Sequence, residues 1–298
     1  MKKYLCTILL LSSMSGIVLA QEPASEKKDF DKKFRFGLRV AAQPTWFTTN
    51  ENNNKPYGAF FGTGFGLNME FRFSDIIALS TGIGGDFEGG KMTFRQDTKE
   101  NYSVSYWMDE TNNFVAVEGK KNPTDINNTS NTRYYLKERT IKTTHVTIPA
   151  ILKMSTKEYS GMKYFGMFGA ELGIRIKATA NDSYWTSYKY DGNGLVTNGS
   201  KGDEATPDQK NINLSKDAAL IPMRVGFNAG MGFEYRLGGS TSFFTSVNYF
   251  RSFTNFSRNE SKFLISDIIS DPSGTQSYKM VQQNLIMNAI RINIGILF

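Results

Sequence analysis

Apolar and polar positions alternate with a period of two over long stretches of this chain, the spacing at which successive side chains fall on opposite faces of a strand. In the last fifteen residues, Ile286, Ile290, Ile292, Ile294, Ile296 and Phe298 alternate with Met287, Ala289, Arg291, Asn293, Gly295 and Leu297. Phe61, Phe65, Leu67, Met69, Phe71 and Phe73 oppose Gly62, Gly64, Gly66, Asn68, Glu70 and Arg72. Met223, Val225, Phe227, Met231, Phe233, Tyr235 and Leu237 oppose Arg224, Gly226, Asn228, Gly230, Gly232, Glu234 and Arg236. One face is fit for lipid and the other carries glycine and charge, the dyad pattern of a membrane-spanning strand. Eight such segments are expected near 34–47, 59–73, 76–92, 139–155, 161–179, 219–237, 241–257 and 284–298. They predict an all-β fold, an eight-stranded antiparallel transmembrane β-barrel over 34–298.

The connections alternate in length. Ser74-Asp75, the Ser155 to Ser160 stretch and Gly238-Gly239-Ser240 are short, whereas 48–58, 93–138, 180–218 and 258–283 are long, polar and rich in asparagine. Short periplasmic turns and long outer loops are the outer-membrane arrangement, and an even strand count leaves both chain ends in the periplasm. Aromatics gather at the two ends of the segments: Phe34, Phe36, Phe71, Phe73, Tyr235, Phe243 and Phe298 at one, Trp46, Phe61, Phe87, Tyr249 and Phe253 at the other. Two interfacial girdles are expected from them.

The fourth segment reads Thr144-His145-Val146-Thr147-Ile148-Pro149-Ala150-Ile151-Leu152-Lys153, and the seventh, Phe243 to Asn255, has an aromatic ending. With the strand and turn schedule, these resemble the PorT-like outer-membrane β-barrel family, small barrels of bacteria that carry a type IX secretion system. Thr147 stands where that family often has a glutamate. The resemblance implies a barrel of the outer membrane protein β-barrel type and an accessory role in type IX secretion.

The amino terminus places Lys2 and Lys3 before an apolar run ending in Val18-Leu19-Ala20, the layout of a secretory signal over 1–20, followed by a charged periplasmic lead over 21–33. Cys6 is the one cysteine and lies inside the signal, which leaves no thiol for a disulfide, nucleophile or lipid anchor after cleavage. Beyond the signal no stretch nears the roughly 18 consecutive apolar residues of a membrane helix, so any span is β. The sequence holds 35 basic and 28 acidic residues; without Lys2 and Lys3 the balance is 33 to 28, a net +5. Those charges interleave, which disfavours nucleic acid as a partner. The expected location is the outer membrane. The expected partners are outer-membrane lipid and lipopolysaccharide, the barrel-assembly machinery, and other envelope or secretion proteins.

Candidate chemistry lies on the inward face, where Arg35, Arg39, Glu70, Arg72, Lys153, Glu171, Arg175, Arg224, Glu234, Arg236 and Arg291 collect. The bore of an eight-stranded barrel is just wide enough for side chains to fill, so these charges are expected to pair as a plug, with Glu70, Arg72, Glu234 and Arg236 as one packed group. The alternative is a narrow conduit. Gly85 to Lys91 has phosphate-loop spacing, but Met92 replaces the hydroxyl residue and Asp86 and Glu88 repel phosphate, so it reads as a softened strand end. His145 is the one histidine; a lipid-modifying enzyme would need it beside Ser80, Ser246 or Asp86, and its plain reading is an inward polar residue beside Thr147. Asp191-Gly192-Asn193-Gly194 reads as a turn rather than a calcium loop. No catalytic residue, cofactor or metal is expected, and Phe298 is expected to act as an assembly signal. The functional expectation is a non-enzymatic structural or interaction component of the envelope, with surface adhesion or defence through the long loops as the main alternative.

Overall fold

The computed structural model describes residues 33–96, 102–117, 131–190, 195–196, 207–214, 220–258, 260–270 and 276–298. The signal, the lead up to residue 32, and the Asp191-Gly192-Asn193-Gly194 turn lie outside them. In chain order the strands are β1 (Phe34–Thr48), β2 (Asn54–Pro56), β3 (Phe60–Arg72), β4 (Ile77–Phe94), β5 (Ser105–Met108), β6 (Thr132–Ser155), β7 (Met162–Tyr190), β8 (Leu195–Val196), β9 (Gln209–Asn213), β10 (Met223–Gly238), β11 (Thr241–Ser252), β12 (Glu260–Ser270), β13 (Gln276–Gln282) and β14 (Ile286–Leu297).

Eight of these close into a ring, β1–β3–β4–β6–β7–β10–β11–β14, with β14 returning to β1 and every pairing antiparallel. Closure leaves no sheet edge, the condition for placing backbone amides in hydrocarbon. The alternation along each strand assigns its two faces. Leu38, Val40, Phe65, Leu67, Ile292 and Ile294 are exposed on the wall, while Arg35, Glu70, Arg224, Glu234 and Arg291 are buried in the bore. The aromatics expected in the two girdles stand on the outer wall, Phe34, Phe36, Phe71, Phe73, Tyr235 and Phe298 at the turn end and Phe61, Phe87, Tyr249 and Phe253 toward the other.

Turns at one end are tight. Gly239 (φ 54°) and Gly161 (φ 79°) occupy the left-handed region that lets the chain reverse within a few residues. Two prolines sit in the wall, where a missing N–H removes a ladder bond. Pairing of β1 with β14 skips Gln43 and Pro44, and pairing of β4 with β6 skips Gly82 and Ile83, which face Ile148 and Pro149.

The opposite end differs from the expected polar loops. The fourth and fifth ring strands, β6 and β7, run 24 and 29 residues and pair from Ser155↔Phe165 out to Thr132↔Lys189. The segments 93–138, 180–218 and 258–283 contribute β5, β8, β9, β12 and β13, which extend the sheet. The physical reason is burial: Phe94, Val104, Tyr106, Met108, Leu136, Tyr184, Leu264 and Val281 form one apolar cluster with Phe47, Met92, Ile141 and Met287. A bulge makes this possible. Thr144 pairs with Lys177 and His145 with Arg175, so Ile176 is inserted and the parity of β7 reverses. Below it Ile174 faces out; above it Ala178, Ala180, Asp182 and Tyr184 face in.

Candidate functional site

The bore is filled in layers, and their chemistry changes along the barrel. Nearest the tight turns, β1, β3, β6 and β10 each supply one inward charge. Arg35 Nη2 lies 2.7 Å from Glu70 Oε1 and 3.1 Å from Glu234 Oε2, and Lys153 Nζ lies 2.9 Å from Glu70 Oε2 and also bonds Glu234. Each carboxylate thus meets both cations, which offsets the desolvation that an isolated buried ion would incur. The group expected from sequence is therefore rearranged. Arg72 donates to the Asp75 carbonyl at 3.2 Å and Arg236 pairs with Glu158 at 2.5 Å in a partly exposed contact. Both arginines sit at the rim because they are one register step beyond Glu70 and Glu234.

A middle layer comes from β4, β6, β7, β10 and β14. Arg291 reaches Glu171 at 2.5 Å and Glu88 at 2.9 Å; Arg224 reaches Glu88 at 2.6 Å and Glu171 at 3.2 Å. Both guanidinium groups lie over the Phe250 ring, at 4.5 and 4.6 Å from its centroid, a cation–π contact strengthened by burial. His145 Nδ1 stands 3.3 Å from Glu88 Oε2. Asp86 accepts from Thr147 Oγ1 at 2.8 Å and from Gln43 Nε2 at 3.4 Å.

Between the layers a polar pocket of about 50 Å³ is lined by Arg39, Asn228, Ser246, Asn248 and Asn293 among others. It has room for ordered water only. Arg39 donates to Asn293 at 3.1 Å, Asn293 to Ser246 at 3.1 Å, and Asn248 to Asn228 at 3.0 Å. Of the residues expected inside, Arg175 is half-buried at the bulge, outside the ion pairs described for the two layers.

Gln43, Glu88 and Asn248 extend the expected interior set, together with Asp86 and with Asn228 and Asn293, which the alternation places on the polar faces of their strands. Strand parity carried the signal, since Gly82, Gly84, Asp86, Glu88 and Gly90 share the inward face of β4. Asp86, expected at most as a partner of His145 or a residue that repels phosphate, and Glu88, expected only to repel phosphate, are both buried in the bore: Glu88 answers Arg224 and Arg291, and Asp86 lies 3.9 Å from Arg291.

Above these layers the apolar cluster caps the bore. Buried within it, Arg139 makes a bidentate pair with Asp182 (2.6 and 2.8 Å), and Tyr106 donates to Asp182 at 2.8 Å while sharing a 2.6 Å bond with Tyr184. Burial, with the Asp182 carboxylate second, pushes the phenols of Tyr106 and Tyr184 well above the usual tyrosine range.

These layers bind their own charges to one another. His145 is buried against Glu88, while Ser246 is bonded to Asn248 and Asn293, and Asp86 to Thr147. Among the described residues no group of three or more His, Cys, Asp or Glu is placed to hold a metal.

Residues 19–257 match the family described as "Outer membrane protein beta-barrel domain". The chain belongs to this family. The match takes in seven of the eight ring strands, and β14, beyond it, closes the ring against β1. This outer-membrane barrel is also similar to solved structures. Neisserial surface protein A is 9% identical, covering 89% of this chain and 96% of that one at a TM-score of 0.32. OprG from Pseudomonas aeruginosa is 10% identical, covering 89% and 92% at 0.36. Ail, the attachment invasion locus protein of Yersinia pestis, is 10% identical, covering 89% and 97% at 0.30. No curated protein sequence matches the chain. The family places the barrel in the outer membrane.

Proposed function

We propose that this outer-membrane barrel is a non-enzymatic, non-conducting structural or interaction component of the envelope, whose folded outer extension is the contact surface. The observation that supports this reading is the filled bore. Paired charges occupy the lower and middle layers and an apolar core covers them, so the interior offers a solute neither a continuous wet path nor an open site. What remains for function is the surface, and the described residues of the extension form a platform of added strands over an apolar cluster.

A deletion strain complemented with either the full chain or a chain whose β6–β7 hairpin is shortened to the height of β3 tests it. Restoration of envelope integrity or surface attachment by the full chain alone supports the reading; equal restoration by both places the function in the transmembrane ring. Accessory service to type IX secretion rests on the PorT-like resemblance of Thr144 to Lys153, and in that case the deletion strain fails to export carboxy-terminally tagged cargo.

A further inference from the structure

The outer wall carries a feature that the filled bore does not explain. An open groove of about 760 Å³ crosses β1, β3, β4, β6 and β7 on the lipid-facing side, within the roughly 300–1,000 Å³ of small-molecule sites. Its sides are Val40, Phe65, Phe87 and Ile176, all outward and exposed. It exists because Gly85 and Thr144 are small where their neighbours are large. The Phe65 ring lies over Gly85, 3.1 Å from where a Cβ would stand.

Three lysines stand at the outer end of this groove. Lys177 lines its mouth on β7. Lys142 is the next outward residue beyond Thr144 on β6, and Lys91 lies two outward positions beyond Phe87 on β4. Lys91 pairs with Thr140 and Gly89 with Lys142, while Lys142 pairs with Thr179 and Lys177 with Thr144, so Lys142 is the diagonal neighbour of both Lys91 and Lys177, about 7–8 Å from each. None of them has an ion-pair partner among the described residues. The nearby carboxylate, Glu138, instead accepts from the Tyr57 hydroxyl at 2.7 Å.

An apolar trough in the hydrocarbon belt beneath three cations at the interface is complementary to one class of molecule. We propose that this face binds a phosphorylated glycolipid of the outer leaflet, with an acyl chain along Phe65, Gly85 and Ile176 and a phosphate held by Lys91, Lys142 and Lys177. The proposal rests on the outer-membrane location and not on the role of the outer extension. The acyl chain gains contact with both groove walls, and the phosphate replaces solvent as counter-ion to three ammonium groups.

The test uses the purified full chain in detergent micelles with diphosphorylated lipid A as probe, read by native mass spectrometry. The parent retains the lipid. The triple variant Lys91→Gln, Lys142→Gln, Lys177→Gln is expected to lose retention by on the order of 100-fold, as removal of three interfacial charges implies. Thr144→Phe, which fills the groove and leaves the lysines, is expected to lose it as well, whereas Lys157→Gln, exposed at the tight-turn end, has no effect. Heat-modifiable migration establishes that each variant is folded. If the triple variant does not assemble, raised salt applied to the parent gives the same readout, because exposed phosphate contacts are screened. Undiminished retention by the lysine variant or in high salt, undiminished retention by Thr144→Phe, or equal competition by phosphatidylglycerol overturns the proposal.

Discussion

Glu234 touches two cations at once, Arg35 and Lys153, and both are buried with it. Removing it leaves two positive charges facing Glu70 alone, and breaking such a buried pair costs about 3–5 kcal/mol. Glu234→Ala is therefore expected to lower the unfolding free energy, measured by urea titration in micelles, by that amount. Arg236→Ala removes only a partly exposed partner of Glu158 and is expected to cost about 0–1 kcal/mol. Equal effects would mean that Arg236 belongs to the buried group after all. The tyrosines of the cap give a pH prediction. The phenols of Tyr106 and Tyr184 are raised above their unfolded value, which is about 10. Their contribution to stability is full below that value and is lost as pH rises toward the folded value, because the unfolded chain then sheds protons that the folded one keeps. Phenolate absorbance should thus lag for these two until the cap opens. A chain in which every tyrosine ionises in the ordinary range, with the cap still resistant to protease, would contradict this assignment.

At the scale of strands, the faces of β3, β10 and β14 were legible residue by residue because a strand with one face in lipid cannot slip its register without exposing charge. The wall position Met231 is 72% exposed, and arginine there is expected to cost about 2–4 kcal/mol if it lies near the bilayer midplane. Inward glycines are less forgiving than their polarity suggests. A Cβ at Gly230 would stand 2.5 Å from the Val247 carbonyl oxygen, whereas one at Gly166, on the outer wall, meets nothing within 4 Å. Gly230→Ser is expected to reduce assembled protein, and Gly166→Ser to leave it unchanged, by heat-modifiable migration. The extended halves of β6 and β7 were not legible, since Thr132 to Glu138 and Thr179 to Tyr190 are polar on the outer face and mixed within, the composition of a loop. The bulge at Ile176 also hides the pattern by reversing parity midway. Deleting Ile176 should turn Ala178, Ala180 and Tyr184 outward. Protease sensitivity of the extension with an intact transmembrane ring is the expected result, and unchanged resistance would remove the role assigned to the bulge.

Across the whole molecule, the ring, its inside–outside sense and most of its buried charges follow from period-two alternation and loop lengths. The identity of the pairs does not, because it depends on which strands the closed ring places across the bore. Arg35 on β1 meets Glu234 on β10, 199 residues away in the chain, and no local spacing encodes that meeting. The cap escaped for a related reason: its apolar residues come from Phe94, Val104, Leu136, Leu214, Leu264 and Val281, scattered through segments that read as polar one at a time. On the proposed function, the charged layers and the cap together seal the bore. Single-channel recording of the purified chain in planar bilayers tests it directly. The sealed bore predicts no steady conductance step across the physiological range of voltage, and a large, stable, ion-selective conductance in the unmodified protein would contradict it.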